Sequence, residues 1–301
     1  MKPVANPTGN KKAFTIVELL TVMSIIVILI GLLIPALNKV KQYATNVRQK
    51  AQFHSIEAAI ELFDSQFGGY PDSAYVAAGP TGAFGICGAE KLSEAMMGRD
   101  LLGFHPNSTF RGDRTDGLGR ALYTRATIAA RQGPFLPLEN ANAYPLGELY
   151  RTIAPFDPCD FVLCDVYNRV TNIRTGKKVG MPVLYYKANT SKQSHDLVNP
   201  DNPDNIYNWR DNAELLSLGM PFDSGGRTHR LLTYTDPRGI APPETVPGQR
   251  FYWNIRNEKV SSISRPFRAD SYILISAGWD GEYGTADDIC NFDWTFRDVL
   301  Q

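Results

Sequence analysis

Residues 11–42, KKAFTIVELLTVMSIIVILIGLLIPALNKVKQ, decide how this chain is organised. Phe14 to Leu37 is a run of 24 residues in which Glu18 is the only ionisable side chain. As an α-helix rising ~1.5 Å per residue, the run spans roughly 36 Å, which is enough to cross a hydrocarbon core of about 30 Å. A buried core helix is the alternative, but such helices rarely stay apolar on all sides. The sequence therefore predicts a transmembrane helix over 14–37.

The leader before this helix, residues 1–13, indicates the orientation of the chain. It contains Lys2, Lys11 and Lys12 and no acidic residue. Lysines on this side favour a cytoplasmic N-terminus, so the rest of the chain would be exported. A secretory signal peptide fits poorly, because the apolar run is too long for its h-region and no small-x-small cleavage site follows.

Glu18 is the unusual residue of the apolar run. A carboxylate at such depth costs about 2.5–3.5 kcal/mol on insertion scales and is a functional candidate by default. The run contains no cation to pair with it. If the leader were cut before Phe14, the new α-amino group of one subunit could meet Glu18 of a neighbour. A glutamate near the membrane interface that reaches water is the other interpretation, and the spacing leaves both open.

The residues from Lys11 to Leu20 resemble the processing site of type IV pilins and of type II secretion pseudopilins. The resemblance implies that a prepilin peptidase cuts between Ala13 and Phe14, methylates Phe14, and leaves Glu18 as the fifth mature residue, used in filament assembly. Ala13 stands where that family usually has glycine. The implied partners are other pseudopilins, the peptidase and the inner-membrane assembly platform. The implied location is a single pass in the inner membrane with the head in the periplasm.

The helical pattern continues beyond the apolar run, over residues 38–71. Apolar residues recur mostly every three or four positions from Val40 to Phe67, and charged residues lie largely off that stripe. This pattern predicts an amphipathic helix that ends before Gly68-Gly69-Tyr70-Pro71. Pro35 removes a backbone hydrogen bond and is expected to loosen the helix one turn earlier.

The remainder of the chain divides by composition into two regions. Residues 72–150 are rich in Gly, Ala and Pro and predict an irregular insertion with short helices near 92–102 and 119–131. Residues 151–301 contain short aromatic and β-branched runs that predict antiparallel strands at 161–170, 182–187, 230–234, 250–255 and 271–276. The expected fold class is α+β, a pilin-like long helix packed with its second half on an antiparallel sheet.

An acidic loop, residues 276–289, follows the last predicted strand. Four carboxylates fall between Asp280 and Asp288, with glycines that permit a tight backbone. Calcium takes six to eight oxygen ligands from such loops, although a solvated acidic turn is equally consistent with the spacing. The loop resembles the C-terminal calcium loop of major pseudopilins. By that resemblance, the ligands would be the side chains of Asp280, Asp287 and Asp288 with the carbonyls of Thr285 and Ile289.

Composition and motifs exclude several classes of function. The 31 basic and 31 acidic residues balance, so nucleic acid is not an expected partner. Hydrolase, metalloprotease and nucleotide-binding motifs are absent and the four histidines are scattered, so an enzyme is not expected. Cys159 and Cys164 could form a disulfide outside the cytoplasm, or all four cysteines could be free thiols. Two functions remain, a structural pseudopilin-like filament subunit and a membrane-anchored periplasmic ligand-binding protein.

Overall fold

The computed structural model describes residues 15–79, 83–222, 227–232 and 246–292. The chain divides into two compact units, Met1–Ala44 and Thr45–Gln301, and we call the second unit the head. The α-helices are α1 Ile16–Phe67, α2 Gly88–Met97, α3 Leu138–Ala141, α4 Leu146–Leu149, α5 Ala213–Ser217 and α6 Gln249–Asn254. The strands are β1 Ala143–Pro145, β2 Phe161–Leu163, β3 Val170–Thr171, β4 Lys178–Val179, β5 Leu184–Lys187, β6 Tyr272–Ser276 and β7 Ile289–Cys290.

Helix α1 confirms the predicted long helix. It is continuous through Pro35 and ends at Phe67, directly before the predicted stop at Gly68. In the first unit, every residue from Ile16 to Leu37 is exposed. The burial of α1 begins at Gln49, so the apolar stripe predicted from Val40 onward packs only over its later part.

The head part of α1 covers one face of a small antiparallel sheet. Phe53, Ile56, Ala59, Ile60 and Phe63 are at most 4% exposed. They form one apolar cluster with residues of β5 and β6 and with α2; the sheet and α2 members are Tyr185, Tyr272, Leu274, Leu92, Ala95, Met96 and Met97. Alternate strand residues face opposite sides, so the other face of β5 and β6 belongs to a second cluster with α6.

The sheets are small and antiparallel. In the largest one the order is β5-β6-β7, with Tyr185 opposite Leu274 and Ser276 opposite Ile289. Two further pairs, β1 with β2 and β3 with β4, complete the described strands. A long N-terminal apolar helix followed by small antiparallel sheets confirms the coarse α+β layout.

The structure differs from the sequence prediction in several segments. The predicted strand 250–255 is wrong, because these residues form α6, in which Phe251 packs on the ring of Tyr186 at 4.6 Å. Helix α2 lies four residues earlier than predicted and is buried throughout. Over 119–131 only Arg125–Ala130 is helical, as a 3-10 helix. The strand predicted at 230–234 is a turn up to Leu232, and its last two residues lie outside the described chain.

A buried ionic cluster ties α2 to the segment before β2. Arg99 donates through Nε to Glu94 at 2.8 Å and through Nη1 to Asp160 at 3.1 Å. All three side chains are at most 3% exposed. The third guanidinium nitrogen donates to the carbonyl of Arg111 at 2.9 Å. A planar guanidinium fork therefore satisfies two buried carboxylates and one carbonyl at once.

Candidate functional site

The start of α1 holds Glu18 by a reciprocal capping arrangement. Thr15 precedes the first helical residue, and its backbone N–H and its hydroxyl donate to Oε2 of Glu18 at 2.9 and 2.8 Å. The backbone N–H of Glu18 donates back to Oγ1 of Thr15 at 3.2 Å. This is the capping box typical of helix N-termini. Both bonds to the carboxylate end on Oε2, so Oε1 lies outside the capping box.

The apolar part of α1 is the feature that needs a partner. Among the residues that the structure describes, α1 is the one helix long and apolar enough to cross a membrane, and none of its most apolar window is buried. Water is an unfavourable environment for so many exposed apolar side chains. Ala13 and Phe14, the predicted processing residues, lie outside the described residues, so the cleavage remains a prediction.

The acidic loop follows β6 and is held by its own backbone. The backbone N–H of Asp280 donates to Oδ2 of Asp287 at 2.8 Å, and the N–H of Gly284 donates to Oδ2 of Asp288 at 2.7 Å. The hydroxyl of Thr285 donates to Oδ1 of Asp287 at 2.7 Å. A Cβ on Gly278 would lie 2.2 Å from the carbonyl oxygen of Asp287. The two ends of the loop therefore approach closely, which agrees with the tight backbone expected from its glycines.

Burial makes this loop electrostatically unfavourable at neutral pH. Burial, with the nearby charge of Asp287, raises the pKa of Asp280 to about 6. Burial also raises the pKa of Asp288 well above its usual range, and the charges of Asp287 and Asp280 add to that shift. Arg230 reaches the loop at Glu282, with Nε 3.3 Å from the carboxylate. Asp280, Asp287 and Asp288 therefore share one loop whose negative charge a bound cation would relieve.

The loop supplies the kind of ligand that calcium takes, but not an arranged site. Oxygen donors from carboxylates and carbonyls suit a hard cation. In the described parts of the chain, no group of three or more His, Cys, Asp or Glu side chains is placed to hold a metal ion. The carboxylates are engaged with loop N–H and hydroxyl groups instead. Calcium binding by Asp280, Asp287 and Asp288, with the carbonyls of Thr285 and Ile289, remains a prediction.

The cysteines are free in this structure. Cys159 is exposed, whereas Cys87, Cys164 and Cys290 are buried. The disulfide between Cys159 and Cys164, which the sequence left open beside free thiols, is therefore not formed here. Burial raises the pKa of the Cys164 thiol well above its usual range, so it is held in the neutral form.

Sequence reasoning missed the buried carboxylate that connects the strands beside the loop. Asp165 is fully buried, and its Oδ1 accepts from the N–H groups of Tyr167 and Met181 at 3.2 and 3.1 Å. Its Oδ2 accepts from the hydroxyl of Ser276, at the end of β6, at 2.9 Å. The sequence signal for this buried carboxylate was weak. An aspartate that directly follows the apolar residues Phe161 to Cys164 is equally typical of an exposed turn.

Buried carboxylates predict a loss of stability on the alkaline side. Burial raises the pKa of Glu90 to about 8 and the pKa values of Asp165 and Asp211 to about 7. The folded state keeps these protons at pH values where the unfolded state has lost them, so the free energy of unfolding falls as pH rises toward 8. Buried His195 and His229, with pKa values lowered from 6.5 to about 4, oppose this trend only below pH 6.5. Between pH 6.5 and about 8 we expect a loss on the order of 2 kcal/mol, measured by urea unfolding at several pH values.

Asp165→Asn provides the control for this expectation. The asparagine keeps an oxygen for the N–H groups of Tyr167 and Met181 and cannot titrate. The variant should therefore show a smaller decrease in unfolding free energy over the same interval. Equal slopes for both proteins would contradict the assignment to Asp165.

Comparison with protein-family models, with curated proteins and with solved structures gives no match for this chain.

Proposed function

We propose that this chain is a pseudopilin-like structural subunit, which assembles through α1 into a filament of a type II secretion or type IV pilus-like system. In this proposal a prepilin peptidase removes residues 1–13, and the subunit resides in the inner membrane with a periplasmic head. The subunit itself performs no reaction. Its partners are copies of itself or other pseudopilins and the assembly platform of the secretion system.

The observation that carries the proposal is the exposed apolar surface of α1 with Glu18 at its start. All residues from Ile16 to Leu37 are exposed in the first unit, and Glu18 is the only charge among them. Lipid or the apolar helices of other subunits can cover such a surface. A carboxylate in that setting favours a specific partner, because an unpaired charge in an apolar environment is costly. The α-amino group that cleavage creates on Phe14 of a neighbouring copy would be that partner.

Chemical cross-linking in native membranes tests the assembly. Lys39, Lys41 and Lys50 are exposed on α1 and react with an amine-specific bifunctional reagent. We expect a ladder of covalent multimers on a denaturing gel for the processed protein. The control is Ala13→Leu, which puts a large side chain where the proposed cleavage needs a small one, and this variant should give monomers. A ladder of equal strength from the variant, or none from either protein, would argue against processed assembly.

We further propose that calcium binds the acidic loop and stabilises the head. A cation would offset the repulsion among Asp280, Asp287 and Asp288, so calcium should raise the melting temperature at pH 7 and a chelator should lower it. The gain should shrink near pH 5, where Asp280 takes up a proton. Asp287→Asn should remove the calcium response, whereas Asp270→Asn, at an exposed position outside the loop, should keep it. Unfolding transitions that do not change with calcium would exclude this site.

A membrane-anchored binding protein that does not polymerise is the second candidate. A polar cleft of about 860 Å³ in the head, bounded in part by Asp72, Lys187 and Arg210, favours this candidate. Filament assembly through α1 does not require such a cleft. The cross-linking experiment separates the two candidates, since a plain anchor gives only monomers.

A further inference from the structure

The head contains a polar cleft of about 860 Å³. It is bounded by residues 72–74, 187–192 and 200–211, together with Tyr252, and we call it the polar cleft. Its volume lies within the range of about 300–1,000 Å³ typical of small-ligand sites. The acidic loop and the apolar part of α1 contribute no residue to it, so its role is independent of the proposed assembly.

The floor of the polar cleft is buried and internally bonded. Ser73, Tyr207 and Asp211 are at most 3% exposed. The hydroxyl of Ser73 donates to the carboxylate of Asp211 and accepts from the N–H of Lys187 at 2.9 Å. The hydroxyl of Tyr252 lies 3.0 and 2.9 Å from the carbonyls of Pro200 and Tyr207. Such a floor is held in place before any ligand arrives, which reduces the entropy cost of binding.

The walls present hydrogen-bonding groups whose orientation is fixed. Asn189, Thr190 and Asn208 are exposed. The side-chain oxygen of Asn189 accepts from the N–H of Ser191 at 3.1 Å, and that of Asn208 accepts from the N–H of Arg210 at 3.1 Å. These bonds orient the two amide groups, and within the described residues their Nδ2 atoms have no partner. The walls therefore offer fixed donors beside a hydroxyl that can both donate and accept.

The charges of the polar cleft argue against an anionic ligand. Its three cations are Lys187, Lys192 and Arg210, and its three acids are Asp72, Asp201 and Asp211. Each cation already has an internal partner. Lys187 donates to the carbonyl of Tyr70 at 2.8 Å, Lys192 donates to the carbonyl of Pro203, and Arg210 forms a two-pronged pair with Asp201 at 2.9 Å. A phosphate or carboxylate would have to displace these internal partners before it could bind a cation here.

Metal and apolar ligands fit no better. The described residues contain no group of three or more His, Cys, Asp or Glu side chains arranged for a metal ion. The walls are predominantly amide, hydroxyl and charged groups, so an apolar ligand would leave them without hydrogen bonds. A neutral molecule with many groups that both donate and accept satisfies all of these conditions.

We propose that the polar cleft binds a neutral saccharide, with Asn189, Thr190 and Asn208 donating to its hydroxyl and ring oxygens. Each sugar hydroxyl donates one hydrogen bond and accepts others, as the mixed amide, hydroxyl and carboxylate lining requires. The carboxylate of Asp72, which also accepts from Lys91, is half-exposed and supplies an acceptor. The head then carries a recognition function beside any role of α1.

Calorimetric titration of the full-length protein tests the proposal. The protein is kept in a polyoxyethylene detergent, because a sugar-based detergent would compete. Cellotriose, chitotriose and maltotriose are the probes, at concentrations up to about 10 mM. This range detects binding with dissociation constants as large as a few millimolar. At least one trisaccharide should bind with a stoichiometry of one per chain.

Two variants and one competing probe decide where the sugar binds. Asn189→Ala and Asn208→Ala should each weaken binding about fivefold, the effect of one lost hydrogen bond. Asn107→Ala, at an exposed asparagine outside the cleft, should not change the affinity, and melting temperatures confirm that all variants are folded. No binding of any trisaccharide, or binding that both cleft variants leave unchanged, would overturn the proposal. Displacement of the sugar by triglycine at equal concentration would assign the cleft to peptides instead and would also overturn it.

Discussion

Replacement of Glu18 by alanine is expected to abolish association between copies of the chain without impairing membrane insertion and without changing the melting temperature of the head. The substitution removes the only charge between Thr15 and Leu37. Removal of a charge from the apolar segment makes insertion easier, by at most about 2.5–3.5 kcal/mol, the insertion-scale cost of a charge at the helix centre. If Glu18 sets the register of neighbouring subunits through the amine of Phe14, its loss removes the specific contact. The measurement is the multimer ladder from cross-linked native membranes, together with the amount of protein in the membrane fraction.

Glu18→Gln separates the pairing role from the capping role. Glutamine at this position can still accept the bonds from the N–H and hydroxyl of Thr15, because glutamine also serves in capping boxes. It carries no charge and cannot form an ion pair with an amine. We therefore expect Glu18→Gln to fail in assembly as Glu18→Ala does. Normal assembly of Glu18→Gln would mean that the glutamate acts only by starting the helix, an effect of about 0.5–2 kcal/mol.

Replacement of Arg99 by methionine is expected to destabilise the head more than replacement of an arginine in an exposed ion pair. The guanidinium group bonds to the buried carboxylates of Glu94 and Asp160 and to the carbonyl of Arg111. Removal of one partner from a buried ion pair typically costs about 3–5 kcal/mol, because it leaves a buried charge without compensation. Asp160 keeps the guanidinium of Arg114 at 3.0 Å, so the charge left without a cation is that of Glu94. For a head of this size the melting temperature should fall by roughly 10 °C. Thermal unfolding of both proteins under identical conditions measures the change.

Arg210→Met is the matched control for Arg99. Arg210 also forms a hydrogen-bonded ion pair through its guanidinium group, with both carboxylate oxygens of Asp201. The two side chains of that pair, however, are 58% and 48% exposed. A surface pair contributes at most about 1 kcal/mol, so this variant should unfold nearly as the parent does. Glu94→Gln added to Arg99→Met should recover part of the stability, because it removes the buried charge that has lost its cation. Equal melting temperatures for Arg99→Met and Arg210→Met would refute the account of the buried cluster.

The sequence predicted those parts of the fold that depend on local pattern. The long helix and its end at Phe67 follow from the apolar run, the later stripe and the Gly68-Gly69 stop. Strand β6 follows from a short apolar run before a glycine-containing loop. The pattern could not separate helix from strand at 250–255, because Phe251 and Tyr252 are both buried among residues distant in sequence. Tertiary contacts decided that segment.

The candidate sites also separate into those that a local sequence pattern indicates and those that form only on folding. Glu18 stood out because it is the single charge in an apolar run, and the acidic loop stood out because four acids are close in sequence. The capping role of Thr15 also has a sequence signal, because a threonine three residues before a glutamate matches the capping-box pattern. Asp165 and the polar cleft were not predictable, because their partners come together only on folding. Asp165 meets Ser276 from 111 residues away, and the floor of the cleft joins Ser73 to Asp211 across 138 residues.

Mass spectrometry of the protein isolated from its native membrane tests the central claim most directly. Pairing of Glu18 with the α-amine of a processed neighbouring chain requires a mature protein that begins at Phe14. Processing by a prepilin peptidase also adds one methyl group to that residue. Cleavage between Ala13 and Phe14 would appear as the loss of residues 1–13 from the intact mass. A functional protein that still begins at Met1 would leave Glu18 without that amine and would contradict the account.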